Sequence, residues 1–271
     1  MTENESAGKP SPRGGRLRVC SIFGTRPEAV KMAPVVLELS RREAIEHSLV
    51  VTGQHRSMLD QMLSLFGLEP DFDLDIMSDR QTLTLVTTRV LERMAPVLEE
   101  MRPDIVLVHG DTTTSFAGAL AAYYARVSVG HVEAGLRTGD RYNPFPEEMN
   151  RHLIDILCDV HLAPTASSRD RLLAEDLPPA GIYVTGNTVI DALLSVASME
   201  PPPGLLPQDI PPDAPVVLVE AHRRENLGDP MRQVCLGISD LAEAHPQLHV
   251  VFPVHKNPAV RDTVHGILGG R

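Results

Sequence analysis

From Leu17 onward the chain alternates short β-branched runs with longer stretches of helical period, and that alternation leaves few folds open. "LRVCSIFG", "HSLVVTG", "DIVLVHG", "VSVGHVEAG", "HLAP" and "IYVTG" read as strands. Between them, "PEAVKMAPVVLELSRR", "MLDQMLSLFG", "QTLTLVTTRVLERMAPVLEEMRP", "TSFAGALAAYYAR" and "EEMNRHLIDILCDV" read as helices, with Pro27 at a first helical position. Alternation of this kind predicts an α/β fold, a mostly parallel sheet covered by helices on both faces. Ligands bind such sheets outside the carboxyl ends of the strands, so residues at strand ends carry the functional question.

The pattern breaks at residues 200–215, "EPPPGLLPQDIPPDAP", whose prolines read as a linker or crossover. It then restarts with "PVVLVEAH", a helix from Pro230 to Ala244, "LHVVFPVH" and "PAVRDTVHGILGG". Two strands make a poor independent sheet, so the sequence reads as stopping partway into a second α/β domain. The expected organisation is a disordered tail over 1–15, a first domain over 16–186, a crossover helix and linker over 187–215, and a partial second domain over 216–271. The tail, "MTENESAGKPSPRGG", is polar and rich in Gly, Pro and Ser, without the apolar centre of a signal peptide.

Composition removes several classes of function. A net charge of −11 argues against nucleic acid or an anionic membrane as the main partner. No apolar run approaches the ~20 residues of a membrane span. Cys20, Cys158 and Cys235 are odd in number and far apart, which suggests neither a disulfide framework nor a zinc finger. A reduced, cytoplasmic protein is expected. Methionines such as Met58, Met62 and Met94 read as core filling.

The strand ends hold the chemistry. In "HVEAGLRTGD", His131 and Glu133 stand two apart at the end of a strand and are expected to project to one face. A bare carboxylate in a core is very costly, so Glu133 is either paired or at the open end of the sheet. "HGDTTTS" repeats the spacing with His109 and Asp111, although Asp111 also fits a simple helix N-cap. Two His-x-carboxylate pairs could also form a metal site, which no Cys or third ligand supports. "NPFPEEMNRH" puts Glu147 and Glu148 in a first helical turn, where acids complement the dipole. A third carboxylate near Asp111 and Glu133 would raise at least one pKa, as a site needing both an acid and a base requires. In "FGTRPEAVK", Gly24 suits a tight turn, and Arg26 and Lys31 add positive charge beside a helix N-terminus that can receive an anion. "EAHRRENLG" places His222 beside Arg223 and Arg224, suited to the departure of a diphosphate, and "PVHKNP" places His255 beside Lys256.

Together "FGTRPEAVKMAP", "TGQHRSMLDQML", "LVHGDTTTS", "GHVEAGLRTGD", "PFPEEMNRH", "TGNTVIDAL", "HRRENLG" and "FPVHKNP" resemble the motifs, in order, of the non-hydrolysing UDP-N-acetylglucosamine 2-epimerases. The resemblance implies a glycosyltransferase-B-type fold of two Rossmann-like domains, the second incomplete here, with the active site between them. It implies interconversion of UDP-N-acetylglucosamine and UDP-N-acetylmannosamine: the C2 proton is removed, UDP leaves C1, and UDP re-adds to a 2-acetamidoglucal intermediate. Asp111, Glu133, Glu147 and His222 match the catalytic residues, with no settled choice of the acid that removes the proton. Arg26, Lys31, Arg223 and His255 match substrate-binding segments. Gln54 and Arg80 match segments used by members that bind a second, regulatory substrate molecule. No metal or other cofactor is implied, and a homodimer is expected of the full-length form. Family members continue beyond this point through Ser-Gly-Gly…Glu-Glu and Thr-Glu-Arg-Pro segments that hold UDP, and neither string occurs here. Two alternatives follow: an inactive, shortened nucleotide-sugar binder, and the hydrolysing type of 2-epimerase, whose members depart from the "HGDTTTS" and "HVEAGLRTGD" patterns.

Overall fold

The computed structural model describes residues 15–53, 56–78, 81–202, 204, 205, 207, 210, 211, 213–221, 227–255 and 257–270. Residues 1–14 of the expected tail lie outside these, as do Gln54, Arg80, His222 and Arg223. The chain divides into two compact units after Met199. Its three cysteines are unpaired. Among the described residues no helix is long and apolar enough to cross a membrane.

The first unit alternates as the sequence predicts: β1 (Leu17–Phe23), α1 (Arg26–Arg41), β2 (Ile45–Val51), α2 (Arg56–Phe66), β3 (Phe72–Asp73), α3 (Leu83–Met101) and β4 (Ile105–His109). It continues through α4 (Thr113–Tyr124), β5 (Ser128–Val132), α5 (Glu147–Leu157), β6 (Val160–Ala163), α6 (Ala166–Ala174), β7 (Ile182–Val184) and α7 (Val189–Ala197). Every strand pair is parallel, in the order β3-β2-β1-β4-β5-β6-β7. The chain winds outward from β1 to β3, returns to β4 beside β1, and winds out the other way. The crevice beyond the ends of β1 and β4 is therefore the topological switch point, where open α/β sheets bind ligands.

Apolar runs buried on both faces explain the sheet. One core sets Val86, Val90 and Met94 of α3 and the small residues of α4 against Cys20, Ile22, Val106 and Val108. The other sets Ala29, Met32 and Ala33 of α1 and Leu59 and Leu63 of α2 against Val19, Phe23, Leu49 and Val51. Helix α4 reads "TTSFAGALAAYY" and lies close to the sheet: a Cβ at Gly118 would stand 3.1 Å from the Ile22 side chain. Helix α3 ends at Arg102, which is left-handed (φ +46°), just before Pro103.

Three details depart from the sequence reading. β3 is an unexpected two-residue strand, paired with the end of β2. Gly24 is required by crowding rather than by a turn of unusual φ, since a Cβ there would meet the Thr52 hydroxyl at 2.0 Å. Helix α7, expected in the crossover, belongs to the first unit, where Ala192 is buried in the core of α1 and α2.

The second unit holds β8 (Val216–Leu218), α8 (Asp229–Ala244), β9 (His249–Val251) and α9 (Pro258–Leu268). β8 and β9 are parallel, and Met231 and Cys235 of α8 pack on Val260 and Val264 of α9.

Candidate active site

Three strand ends meet at the switch point, and a buried carboxylate ties two of them together. Glu28, in the first turn of α1, accepts the Gly24 and Thr25 backbone N–H groups through Oε2 at 3.1 and 2.8 Å. Through Oε1 it accepts the Thr112 hydroxyl at 2.6 Å, and it stands 2.8 Å from Ser115 Oγ, whose one proton it shares with the His109 carbonyl. The turn after β1 and the turn after β4 are thus held by one side chain. Its signal in the sequence is Thr25-x-x-Glu28, the spacing of a helix capping box.

Against these turns lies a cavity of about 410 Å³ whose walls include Arg26, Lys31, Asp111, Glu133 and Glu147, all singled out from sequence. His109, Thr112, Met58, Leu136 and Arg151 also line it, as do Glu28 and Gly110. Met58 is therefore a cleft residue, half-exposed on α2, and not core filling, while Met94 is core as expected.

β5 stops at Val132 because Glu133 takes a left-handed backbone (φ +69°), rare for a residue with a side chain. That reversal overturns the expectation that His131 and Glu133 share a face. His131 is fully buried against α5, where Nδ1–H donates to Asp155 Oδ1 at 2.5 Å and Nε2–H to the Gly110 carbonyl at 2.7 Å. Glu133 turns instead toward α1. Lys31 Nζ donates to both of its oxygens, at 2.7 and 2.5 Å, and His109 Nε2 stands 2.8 Å from Oε2. The His109 contact lies off the line of a hydrogen bond, so both His109 ring nitrogens are buried without a hydrogen-bond partner among the described residues. Burial pushes the Glu133 carboxyl up, but His109 and Lys31 outweigh it and hold the group down at about 2.

Asp111 is not the cap of α4. Thr112 is, its hydroxyl accepting the Ser115 N–H at 3.1 Å. The Asp111 carboxylate is left to accept two bonds from Arg151, at 3.0 and 2.7 Å. Glu148, next to Glu147, is buried, and accepts from Thr138 N–H, Gly139 N–H and Arg151. Burial raises its carboxyl and these donors lower it further, for a net fall. Glu147 has one oxygen buried without a partner among the described residues. Its neighbour's role in loop anchoring separates the two acids that looked equivalent in sequence.

Of the other positions named from sequence, His255 lies in the second unit, its Nδ1 accepting the Asn257 N–H at 3.1 Å. Gln54, Arg80, His222 and Arg223 fall outside the described residues. Sequence reasoning missed Glu28, Arg151 and Asp155. Arg151 follows Glu147 at four residues on α5, so helical spacing could have found it. No group of three or more His, Cys, Asp or Glu among the described residues is arranged to hold a metal ion.

Comparison with known proteins comes to the same point. A family model described as UDP-N-acetylglucosamine 2-epimerase matches residues 37–271. The chain is 50% identical over 255 residues to the UDP-N-acetylglucosamine 2-epimerase of Bacillus subtilis, covering 94% of this chain and 66% of that protein. It is 49% identical over 260 residues to the enzyme of that name from Escherichia coli O157:H7, covering 93% of this chain and 69% of that protein. Its fold is similar to the crystal structure of UDP-GlcNAc 2-epimerase from Neisseria meningitidis bound to UDP-GlcNAc, with a TM-score of 0.78 and 45% identity over 94% of this chain and 70% of that one. The chain thus spans about two thirds of the length of these relatives.

Proposed function

Because the chain belongs to the UDP-N-acetylglucosamine 2-epimerase family, we propose that its switch-point cleft carries the acid–base work of interconverting UDP-N-acetylglucosamine and UDP-N-acetylmannosamine. The observation that carries this reading is the convergence of three carboxylates, Asp111, Glu133 and Glu147, on one cavity with Arg26, Lys31 and Arg151.

The chemistry asks for such a set. Inverting C2 requires a base on one side of the sugar and a proton donor on the other, while the C1–O bond breaks and its electron pair leaves with UDP. A C2–H with no activating neighbour needs a base already in place. A departing diphosphate needs positive charge, and Arg26 is exposed at the cleft with no ion-pair partner among the described residues.

The three acids are differently committed. Asp111 is engaged by Arg151, and Glu133 by Lys31 and His109. Glu147 alone keeps a buried oxygen without a partner among the described residues, which suits it to accept the first proton. Glu133 is ionised at neutral pH and a weak base while its partners hold it. Substrate that draws Lys31 toward its own phosphates would release Glu133 to take up a proton and return it to C2.

Proton NMR with UDP-N-acetylglucosamine in D2O tests the reading. UDP-N-acetylmannosamine with deuterium at C2 is the expected product. Free UDP with N-acetylmannosamine would mean the hydrolysing reaction instead, and an unlabelled, unchanged substrate would remove the activity from this chain.

A further inference from the structure

The turn between β4 and α4 presents His109 and Asp111 to the cleft, and the carbonyls of His109, Gly110 and Asp111 are each met by a side-chain donor. Ser115 Oγ–H of α4 reaches the His109 carbonyl at 2.6 Å, sharing its one proton with Glu28 Oε1 at 2.8 Å. Asn150 Nδ2–H of α5 donates to the Asp111 carbonyl at 2.8 Å. Between them, His131 Nε2–H donates to the Gly110 carbonyl at 2.7 Å, while the Gly110 N–H donates to the Val132 carbonyl at 2.9 Å. Ser115 and Asn150 are neutral donors with rotatable side chains. The His131 ring is fixed from behind by Asp155, which is itself fully buried and paired with Arg137 at 2.7 Å.

Both partners of His131 only accept hydrogen bonds, so the arrangement is satisfied when both ring nitrogens carry protons and Asp155 carries the balancing charge. The bond to Gly110 is then charge-assisted, and stronger than its two neutral companions. Arg137 continues the chain to Glu175 at 2.7 Å, Glu175 meets His152 at 3.3 Å, and His152 stands 3.8 Å from Glu148. Glu148 pairs with Arg151, and Arg151 holds Asp111, the residue after Gly110. The circuit therefore closes on the turn from both sides: His131 holds its backbone and Arg151 holds its acid.

We propose that His131, fixed by Asp155, is a positioning residue whose grip on the Gly110 carbonyl aims His109 and Asp111 into the cleft. Its bearing on turnover rests on the epimerase reading above; its bearing on the turn does not. His131 does not itself line the cavity, and it acts through the backbone of Gly110, which does.

Amide hydrogen exchange on the full chain tests this without any substrate. The Gly110 amide reports the turn, and the Thr52 amide, bonded to the Phe23 carbonyl at 3.0 Å, reports the sheet elsewhere. In His131→Leu the Gly110 amide is expected to exchange about tenfold faster while the Thr52 amide changes by less than about threefold. His131→Gln, which keeps an amide donor at this position, is expected to restore most of the protection. Should His131→Leu fail to fold, Asp155→Asn is read in the same way. Equal acceleration at both amides, or none at Gly110, overturns the proposal, as does a glutamine that protects no better than leucine. In the same samples the appearance of C2-deuterated product is expected to fall about tenfold with KM little changed, and to recover in His131→Gln. A wild-type chain without turnover would sink the epimerase reading, while the exchange result would still decide the role of His131.

Discussion

The turns that follow β4 and β5 carry the same signature, a histidine and an acid two residues apart, and the fold uses them in opposite ways. After β4, Gly110 sits between the two and takes the left-handed conformation (φ +67°), so both His109 and Asp111 line the cleft. After β5 the left-handed residue is the acid itself, Glu133 (φ +69°), which swings to the cleft while His131 stays in the core. One histidine has buried nitrogens without hydrogen-bond partners among the described residues and stands against the acid Glu133; the other has both nitrogens bonded, to the buried Asp155 and to backbone. Spacing alone does not assign a role. The position of the one residue with positive φ decides which side chains reach the site.

The largest way to break this comparison is to remove the acid that the second turn delivers. Glu133→Gln keeps shape and removes charge, and turnover is expected to fall by about 10²–10⁴-fold, the usual worth of a positioned acid–base group. Steady-state rates of C2 epimerisation in D2O check it. A loss of less than about threefold would mean that Glu133 anchors Lys31 and His109 without handling a proton.

The second test uses pH. Burial raises the Glu133 carboxyl, but His109 and Lys31 bring it from an ordinary 4.5 down to about 2. A carboxyl whose value is depressed on folding stabilises the protein above its unfolded value, and that contribution is lost as the pH falls through the folded one. On the order of 3 kcal/mol of stability is therefore present above pH 4.5 and fades toward pH 2. Urea unfolding across this window should show the fall in the wild type and a shallower fall in Glu133→Gln. A carbon-13 titration of Glu133 with a midpoint near 4.5 would show instead that Lys31 and His109 are not held on it in solution.

Much of this was legible in advance, and the reasons differ from residue to residue. The parallel sheet was readable because runs such as "DIVLVHG" are buried on both faces and leave no alternation to misread. Asp111, Glu133 and Glu147 were readable as strand-end or helix-start acids, and the cavity brings all three together. The face of His131 was not readable, because strand alternation was extended through Glu133, where a positive φ cancels it. Nor was Glu28, whose partners Thr112 and Ser115 stand 84 and 87 residues away in sequence. Asp155 failed for the opposite reason: an acid in mid-helix reads as solvated surface, and only the fold shows it fully buried beside His131 and Arg137.

The smallest effect tests the cause of the difference between the two turns. A Cβ added at Gly110 meets nothing within 4 Å, so Gly110→Ala adds backbone strain without a clash. A left-handed residue with a side chain costs roughly 1–2 kcal/mol relative to glycine, and stability measured by urea unfolding should fall by about that amount. The β5 turn already bears this strain at Glu133, where Lys31 and His109 hold the side chain in place. Because Ser115, His131 and Asn150 hold the carbonyls of the β4 turn, the alanine is expected to stay left-handed, with Asp111 still on Arg151. Turnover should then change by less than about threefold even as stability falls. If stability is unchanged and turnover is lost, the turn has relaxed to a negative φ and carried Asp111 away from the cleft. The left-handed residue would then have been set by glycine alone, and the carbonyl grips would not be what holds the first turn open.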